Sequence, residues 1–250
     1  MEEDIDYSIH YKRWHNGSSN ELSERKIFYR NFIGTELDSY SRNCNVLDYG
    51  CGFGHLTSYL MDRFDHVLGV DASQQQIAVA LNNNLPVEHV SIDQFNHWAE
   101  YNQNRFDIIF LMDVLEHIPV DDQIGFMRKI NSMLKHGGSL YIKVPNANSL
   151  ISNRWRYIDT THYCSFTECS LEFLALNSGF SSFTYLKDET SLTPKFPFIF
   201  RPIVISYLVK MTVRFFWRCY MYSEIGRSAI TLPLGINLFI KTLKVSIDEK

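Results

Sequence analysis

The sequence predicts an α/β domain in which a mainly parallel sheet, covered by helices on both faces, carries a nucleotide-type cradle after its first strand. Two observations lead there. Five near-continuous apolar runs alternate with helical patterns: NVLDY (45–49), HVLGV (66–70), VEHVS (87–91), FDIIFL (106–111) and SLYIKV (139–144). Strands that are apolar throughout belong to a sheet buried on both sides. The first run leads into Asp48, Gly50, Gly52 and Gly54, and LTSYLMDRF beyond reads as a helix. In such a turn no Cβ keeps a ligand away from the backbone. The spacing G-x-G-x-G is not the dinucleotide pattern, and it lacks the Lys of a P-loop. Taken alone, the loop also reads as an ordinary tight turn.

The remaining elements follow in order. Helices are predicted near 54–63, 73–82, 121–134 and 168–178, the last closed by Gly179 as a C-cap. A sixth strand is expected at 182–187 and a final one at 236–245. Residues 1–43 are polar and aromatic, with Tyr7, Tyr11 and Trp14 among charges, and read as an N-terminal arm or lid. The chain thus divides into an arm (1–43), a main domain (44–190 with 236–250) and an insertion (191–235).

A length of 250 residues suits one domain, and 45% hydrophobic content fills a core. The opening MEEDIDYS is acidic and polar, so no secretory signal is expected. Five scattered cysteines without a C-x-x-C fit a reducing cytoplasm better than a disulfide framework or a zinc site. Net charge is −4, unevenly spread: residues 195–250 hold nine Lys/Arg against three Asp/Glu, and the rest fifteen against twenty-five. A basic segment on an acidic body implies a partner surface. Its basic residues are diluted by large apolar ones, so nucleic acid is not the expected partner.

With these positions placed, the chain resembles the class I S-adenosylmethionine-dependent methyltransferases over roughly residues 25–190 and 236–245. The D-x-G-x-G-x-G turn, GVDAS after the second strand, SIDQF after the third, FDIIFLMDVLEHIP at the fourth and LKHGGSLYIKVPN at the fifth carry the resemblance. It implies a Rossmann-like seven-stranded sheet of order 3-2-1-4-5-7-6, with the last strand antiparallel. It implies a cofactor site built from Asp48, Gly50, Gly52, Phe53 and Gly54. Asp71 and Ala72 join it, Asp71 accepting from both ribose hydroxyls. Asp93 stands where the family contacts the adenine amino group, and Met112 and Asp113 complete the set. The DVLEHI stretch is similar to the branch holding ubiquinone-biosynthesis and polysaccharide-cluster O-methyltransferases.

A sulfonium methyl is already electrophilic, so the protein must align an acceptor and manage its proton. An alcohol needs a general base or a metal that lowers its pKa. Asp113, Glu116 and His117 fall on one side if 113–117 turns helically. Asp159, Thr161 and His162 follow in WRYIDTTHYCSFT, a run similar to the acceptor segment of sugar-directed relatives. Candidate catalytic residues are therefore His117, His162 and Asp159. The resemblance also implies a divalent cation such as magnesium, held by Asp113, Glu116, His117 and His162. The plainer readings are a solvated helix start for Glu116 and His117 and a hydrogen-bonding role for His162.

The insertion carries KFPFIFRPIVISYLVKMTVRFFWRCYMY. Pro202 suits a first helical turn, and Lys210, Arg214 and Arg218 recur every four residues as a basic stripe. Its longest uncharged stretch is too short to span a bilayer. An apolar, aromatic helix with a basic stripe suits a membrane interface; cover for a core or a protein contact is the alternative, through residues 196–222. The leading expectation is O-methylation of a sugar or lipid-linked glycan hydroxyl in surface-polysaccharide assembly, at the cytoplasmic membrane face. A ubiquinone-type polyprenyl-phenol O-methyltransferase and a non-catalytic partner of a glycosyltransferase are the alternatives.

Overall fold

The computed structural model describes His15, residues 17–186 and residues 202–245. Tyr7, Tyr11, Trp14, the KFPFIF stretch, Arg201 and Lys187 lie outside the described residues. In chain order the helices are α1 (Ser19–Leu37), α2 (His55–Met61), α3 (Gln74–Asn82), α4 (Ile92–Tyr101), α5 (Gln123–Met133), α6 (Ser152–Tyr157), α7 (Glu168–Asn177) and α8 (Pro202–Ile225). The strands are β1 (Asn45–Tyr49), β2 (His66–Asp71), β3 (Val87–His89), β4 (Phe106–Met112), β5 (Leu134–Pro145), β6 (Phe180–Tyr185) and β7 (Asn237–Lys244). Their order is β3-β2-β1-β4-β5-β7-β6, as expected. The first five are parallel, and β7 runs antiparallel to both its neighbours.

Alternate residues of the central strands feed two cores, because successive side chains leave opposite faces. Leu47, Ile109, Leu111, Leu140 and Ile142 pack with Phe95 of α4, Met127 and Ile130 of α5, and Leu171 of α7. Val46, Ile108, Phe110 and Tyr141 pack on the other face with Phe32, Ile33 and Leu37 of α1 and Leu56 and Leu60 of α2. The order reverses between β2-β1 and β4, which opens a crevice at the carboxyl ends of β1 and β4, where open α/β sheets take ligands.

The N-terminal segment is more than an arm: α1 covers one sheet face and belongs to the core. The second correction concerns α8. Lys210, Arg214 and Arg218 do share a stripe, but with Val204, Tyr207, Trp217 and Met221 they form the buried or half-buried side of the helix. Arg218 donates from Nη1 to the carbonyls of Ala229 and Ile230 (both 2.5 Å) and from Nη2 to Leu232 (2.8 Å). The stripe therefore faces the protein, and the face turned outward is apolar. Among the described residues, no helix is long and apolar enough to cross a membrane.

Candidate active site

The turn after β1 is held from two sides. Gly50 and Cys51 amides donate to the Val70 carbonyl (2.7 and 3.0 Å), and the Gly52 amide donates to Asp71 Oδ2 (2.8 Å). Asp71 Oδ1 accepts from the Ser73 amide (2.7 Å). This carboxylate is thereby fixed at the end of β2; burial pushes its pKa up. Gly50 has φ +77°, and a Cβ there would stand 2.3 Å from Val114 Cγ2. At Gly52, φ is +54° and a Cβ would meet Gln76 Oε1 at 2.6 Å. Both positions demand glycine, for backbone conformation and for space.

A cavity of about 260 Å³ opens over this turn. Of the residues predicted for the cofactor, Gly50, Gly52, Phe53, Asp71, Ala72, Met112 and Asp113 line it. Asp48, Gly54 and Asp93 do not. Asp48 is 1% exposed beneath the turn and accepts from Thr57 Oγ1 at 2.6 Å, which ties β1 to α2. Burial raises its pKa to about 7. Gly54 is the left-handed N-cap of α2. Asp93 is exposed in the first turn of α4, and its neighbour Ile92 lines the cavity instead. Tyr29 of α1 and His15 ahead of it also reach this cavity, and neither is among the residues the sequence singles out; nothing periodic in α1 announces Tyr29.

A second cavity, about 520 Å³, shares His15, Tyr29, His55 and Asp113 with the first. Asp113 follows β4 in a left-handed conformation, φ +59°, a strained arrangement of the sort that persists where surroundings over-determine it. Its Oδ2 is ion-paired with Lys143 Nζ at 2.7 Å. Lys143 is brought there by strand register, since Met112 of β4 pairs with Lys143 of β5. The lysine was not singled out from sequence, although a cation inside LYIKV was the available signal.

Glu116 and His117 sit in a short 3-10 turn, Leu115–His117. The Tyr163 amide donates to the Glu116 carbonyl (2.8 Å), which docks the 159–163 segment against this turn and brings His162 beside His117, ring centroids 4.6 Å apart. Donor atoms of Glu116, His117 and His162 all lie within 4.8 Å of one another. Asp113 is not in that set, a correction to the four-ligand expectation, because Lys143 holds its carboxylate. Thr161 Oγ1 donates to Asp159 Oδ1 (2.6 Å), so it accepts from His117 Nδ1 (2.8 Å). His162 Nδ1 donates to the Trp155 carbonyl (3.0 Å). In each neutral ring the lone pair therefore rests on Nε2. Asp159 reaches His117 through Thr161, as a group that orients the ring.

Burial dominates the electrostatics. It pushes the Glu116 carboxyl well up, with Asp113 adding to the shift, and Glu116 Oε2 is buried without a hydrogen-bond partner. Burial and then His162 lower His117 to about 4, and burial lowers His162 as well. Two neutral imidazoles and the unpartnered Glu116 Oε2, once that carboxyl gives up its proton, form a donor set that could hold a divalent cation. With two nitrogens and one oxygen, the set suits a first-row transition ion better than magnesium, which prefers oxygen ligands.

A glycine cradle at the reversal point of this sheet, with a fixed acid at the end of β2, defines a class I S-adenosylmethionine-dependent methyltransferase. A family model described as a methyltransferase domain matches residues 21–183, and the chain belongs to that family. A ubiquinone biosynthesis O-methyltransferase of Proteus mirabilis (strain HI4320) is 34% identical over 107 residues, 41% of this chain and 42% of that protein. One from Aeromonas salmonicida (strain A449) is 29% identical over 107 residues, 41% and 44% of the two chains. The match thus spans less than half the length of these curated relatives. Among solved structures, a SAM-dependent methyltransferase from Archaeoglobus fulgidus superposes with TM-score 0.62 at 20% identity, covering 96% of this chain and 100% of that one. Phosphoethanolamine N-methyltransferase 2 of Haemonchus contortus, with S-adenosyl-L-methionine, gives TM-score 0.55 at 18% identity, covering 97% and 60%. At these identities the likeness concerns the fold.

Proposed function

We propose that the protein methylates a hydroxyl oxygen on a sugar acceptor seated in the larger cavity, in surface-polysaccharide assembly. One observation carries the reading: the Glu116, His117 and His162 cluster stands where the two cavities meet, His117 lining the smaller and Glu116 and His162 the larger. S-adenosylmethionine, when bound, supplies an electrophilic methyl. Gly50, Gly52, Asp71, Ala72 and Met112 would hold it, since they line the smaller cavity. His162 Nε2 takes the acceptor proton. His117, at about 4, is the weaker base and stands beside it. The alternative is a divalent cation on Glu116, His117 and His162, which would occupy the Nε2 lone pair of His162 and replace it as the base by lowering the pKa of the hydroxyl.

Oxygen as the acceptor atom is supported by the names of the curated relatives. A sugar is supported by the cavity's lining, which combines Arg25, Arg154, Asp159 and Asn237 with the flat rings of Phe28 and Trp155. Arg25 and Arg154 also suit an acceptor bearing a carboxylate or phosphate. The relatives' names, together with Tyr29, Pro145 and Ile158 on the wall, favour a polyprenyl phenol as the second reading. The test begins with calorimetric titration by S-adenosylhomocysteine, with and without EDTA. Methyl transfer to sugar nucleotides and oligosaccharides is then compared with transfer to catechols. Transfer to catechols alone replaces the sugar reading by the phenol one. A folded sample that binds no S-adenosylhomocysteine restores the non-catalytic scaffold.

A further inference from the structure

We propose that the outward face of α8 is a self-association surface, covered by the same face of a second copy of this chain. The helix has 24 residues, hence a length of ~36 Å. Seven large apolar residues on its outward face, Ile205, Leu208, Val209, Val213, Phe215, Phe216 and Tyr220, are between 46% and 66% exposed. At about 200 Å² for a fully exposed residue of this kind, they leave roughly 800 Å² of surface open. That exceeds the roughly 300–600 Å² of the largest apolar patch on an ordinary monomer. It matches the roughly 800 Å² that each partner contributes to a stable interface.

Charge selects the occupant. From Val204 to Ser223 the helix presents no exposed charged residue; Lys210, Arg214 and Arg218 are all on the half-buried side. An interfacial helix keeps its basic side among lipid headgroups. Here that side is half-buried, with Arg218 engaged by three carbonyls of the following turn. What remains outside is Phe, Tyr and branched aliphatic, the composition of the core of a homodimer contact. A twofold axis across the helix pairs the face with itself and closes the assembly at two copies.

The test is the mass of the full chain in solution by sedimentation equilibrium, at ~10 μM, where a contact of this size is occupied. The wild type is expected at twice its 29.3 kDa. The Phe215→Glu/Phe216→Glu pair, and independently Leu208→Glu/Val209→Glu, should each fall to the monomer mass with S-adenosylhomocysteine affinity unchanged. Phe173→Glu, at an equally exposed apolar position on α7, should remain dimeric. Persistence of the dimer in both paired variants overturns the proposal. So does a monomeric wild type, whether it floats with phosphatidylcholine vesicles, which would make lipid the occupant, or stays free.

Discussion

Replacing Asp48 by Asn probes the carboxyl group sealed beneath the glycine turn. Asp48 is 1% exposed, and burial raises its pKa from 3.8 to about 7 against the opposing pull of its hydrogen bonds from Thr57. The sign follows from linkage. Between the two values the folded protein holds a proton that the unfolded chain has released, so folding loses stability as pH rises through that window. Integrated from pH 5 to pH 8, the loss for the wild type is about 2–3 kcal/mol. Asn cannot ionise and loses none of it. Whatever fixed cost the amide brings, the variant should gain about 2–3 kcal/mol on the wild type across that range. Urea denaturation of both proteins at pH 5, 6, 7 and 8 reads the difference directly. A wild-type-to-variant gap that stays flat with pH refutes the reasoning, and would mean that Asp48 is charged in the fold from pH 5 upward.

Three further outcomes are expected. Asp71→Ala removes the acceptor for the Gly52 and Ser73 amides and should weaken S-adenosylhomocysteine binding by about 1–3 kcal/mol, measured by calorimetry. His162→Ala should leave that affinity intact and lower turnover about a hundredfold; equal turnover removes His162 from proton transfer. Arg218→Ala strands the carbonyls of Ala229, Ile230 and Leu232. It should cost about 1 kcal/mol, seen as a Tm lower by about 2–4 °C, with cofactor affinity unchanged.

The sheet was legible because each parallel strand is buried on both faces and therefore announces itself as an unbroken apolar run. β1 matches its predicted bounds, Asn45–Tyr49, and β5 exceeds them because Leu134 also pairs, with Phe106, ahead of an irregularity in the register. The glycine turn and Asp71 were legible because their chemistry is local in sequence. α4 went unread although Ser91 and Gln94 form a capping box at its start, an available signal. α1 was hidden for a different reason: its apolar residues do not gather on one helical face, so no stripe marks its 19 residues. Two facts about the site lay beyond any one-dimensional reading. The pairing of Lys143 with Asp113 depends on register between strands. The burial of the Lys210, Arg214 and Arg218 side depends on which way the helix turns, and a stripe reads the same from either side.

The strands that flank α8 are themselves a hydrogen-bonded pair. Phe180 lies opposite Lys244 and Tyr185 opposite Ile240, although β6 ends and β7 begins some fifty residues apart in the chain. The hairpin's register is set by its own side chains, Phe180 and Ile240 entering one core and Phe239 the other. The segment between is therefore a graft on a closed stem. Its last residues are tied in, Asn146 Nδ2 donating to the carbonyls of Pro233 and Gly235 (both 2.8 Å), so the outward side of α8 is what can change while β7 keeps its place beside β5. Selection can rewrite what the molecule docks against without rewriting the pocket in which the reaction occurs.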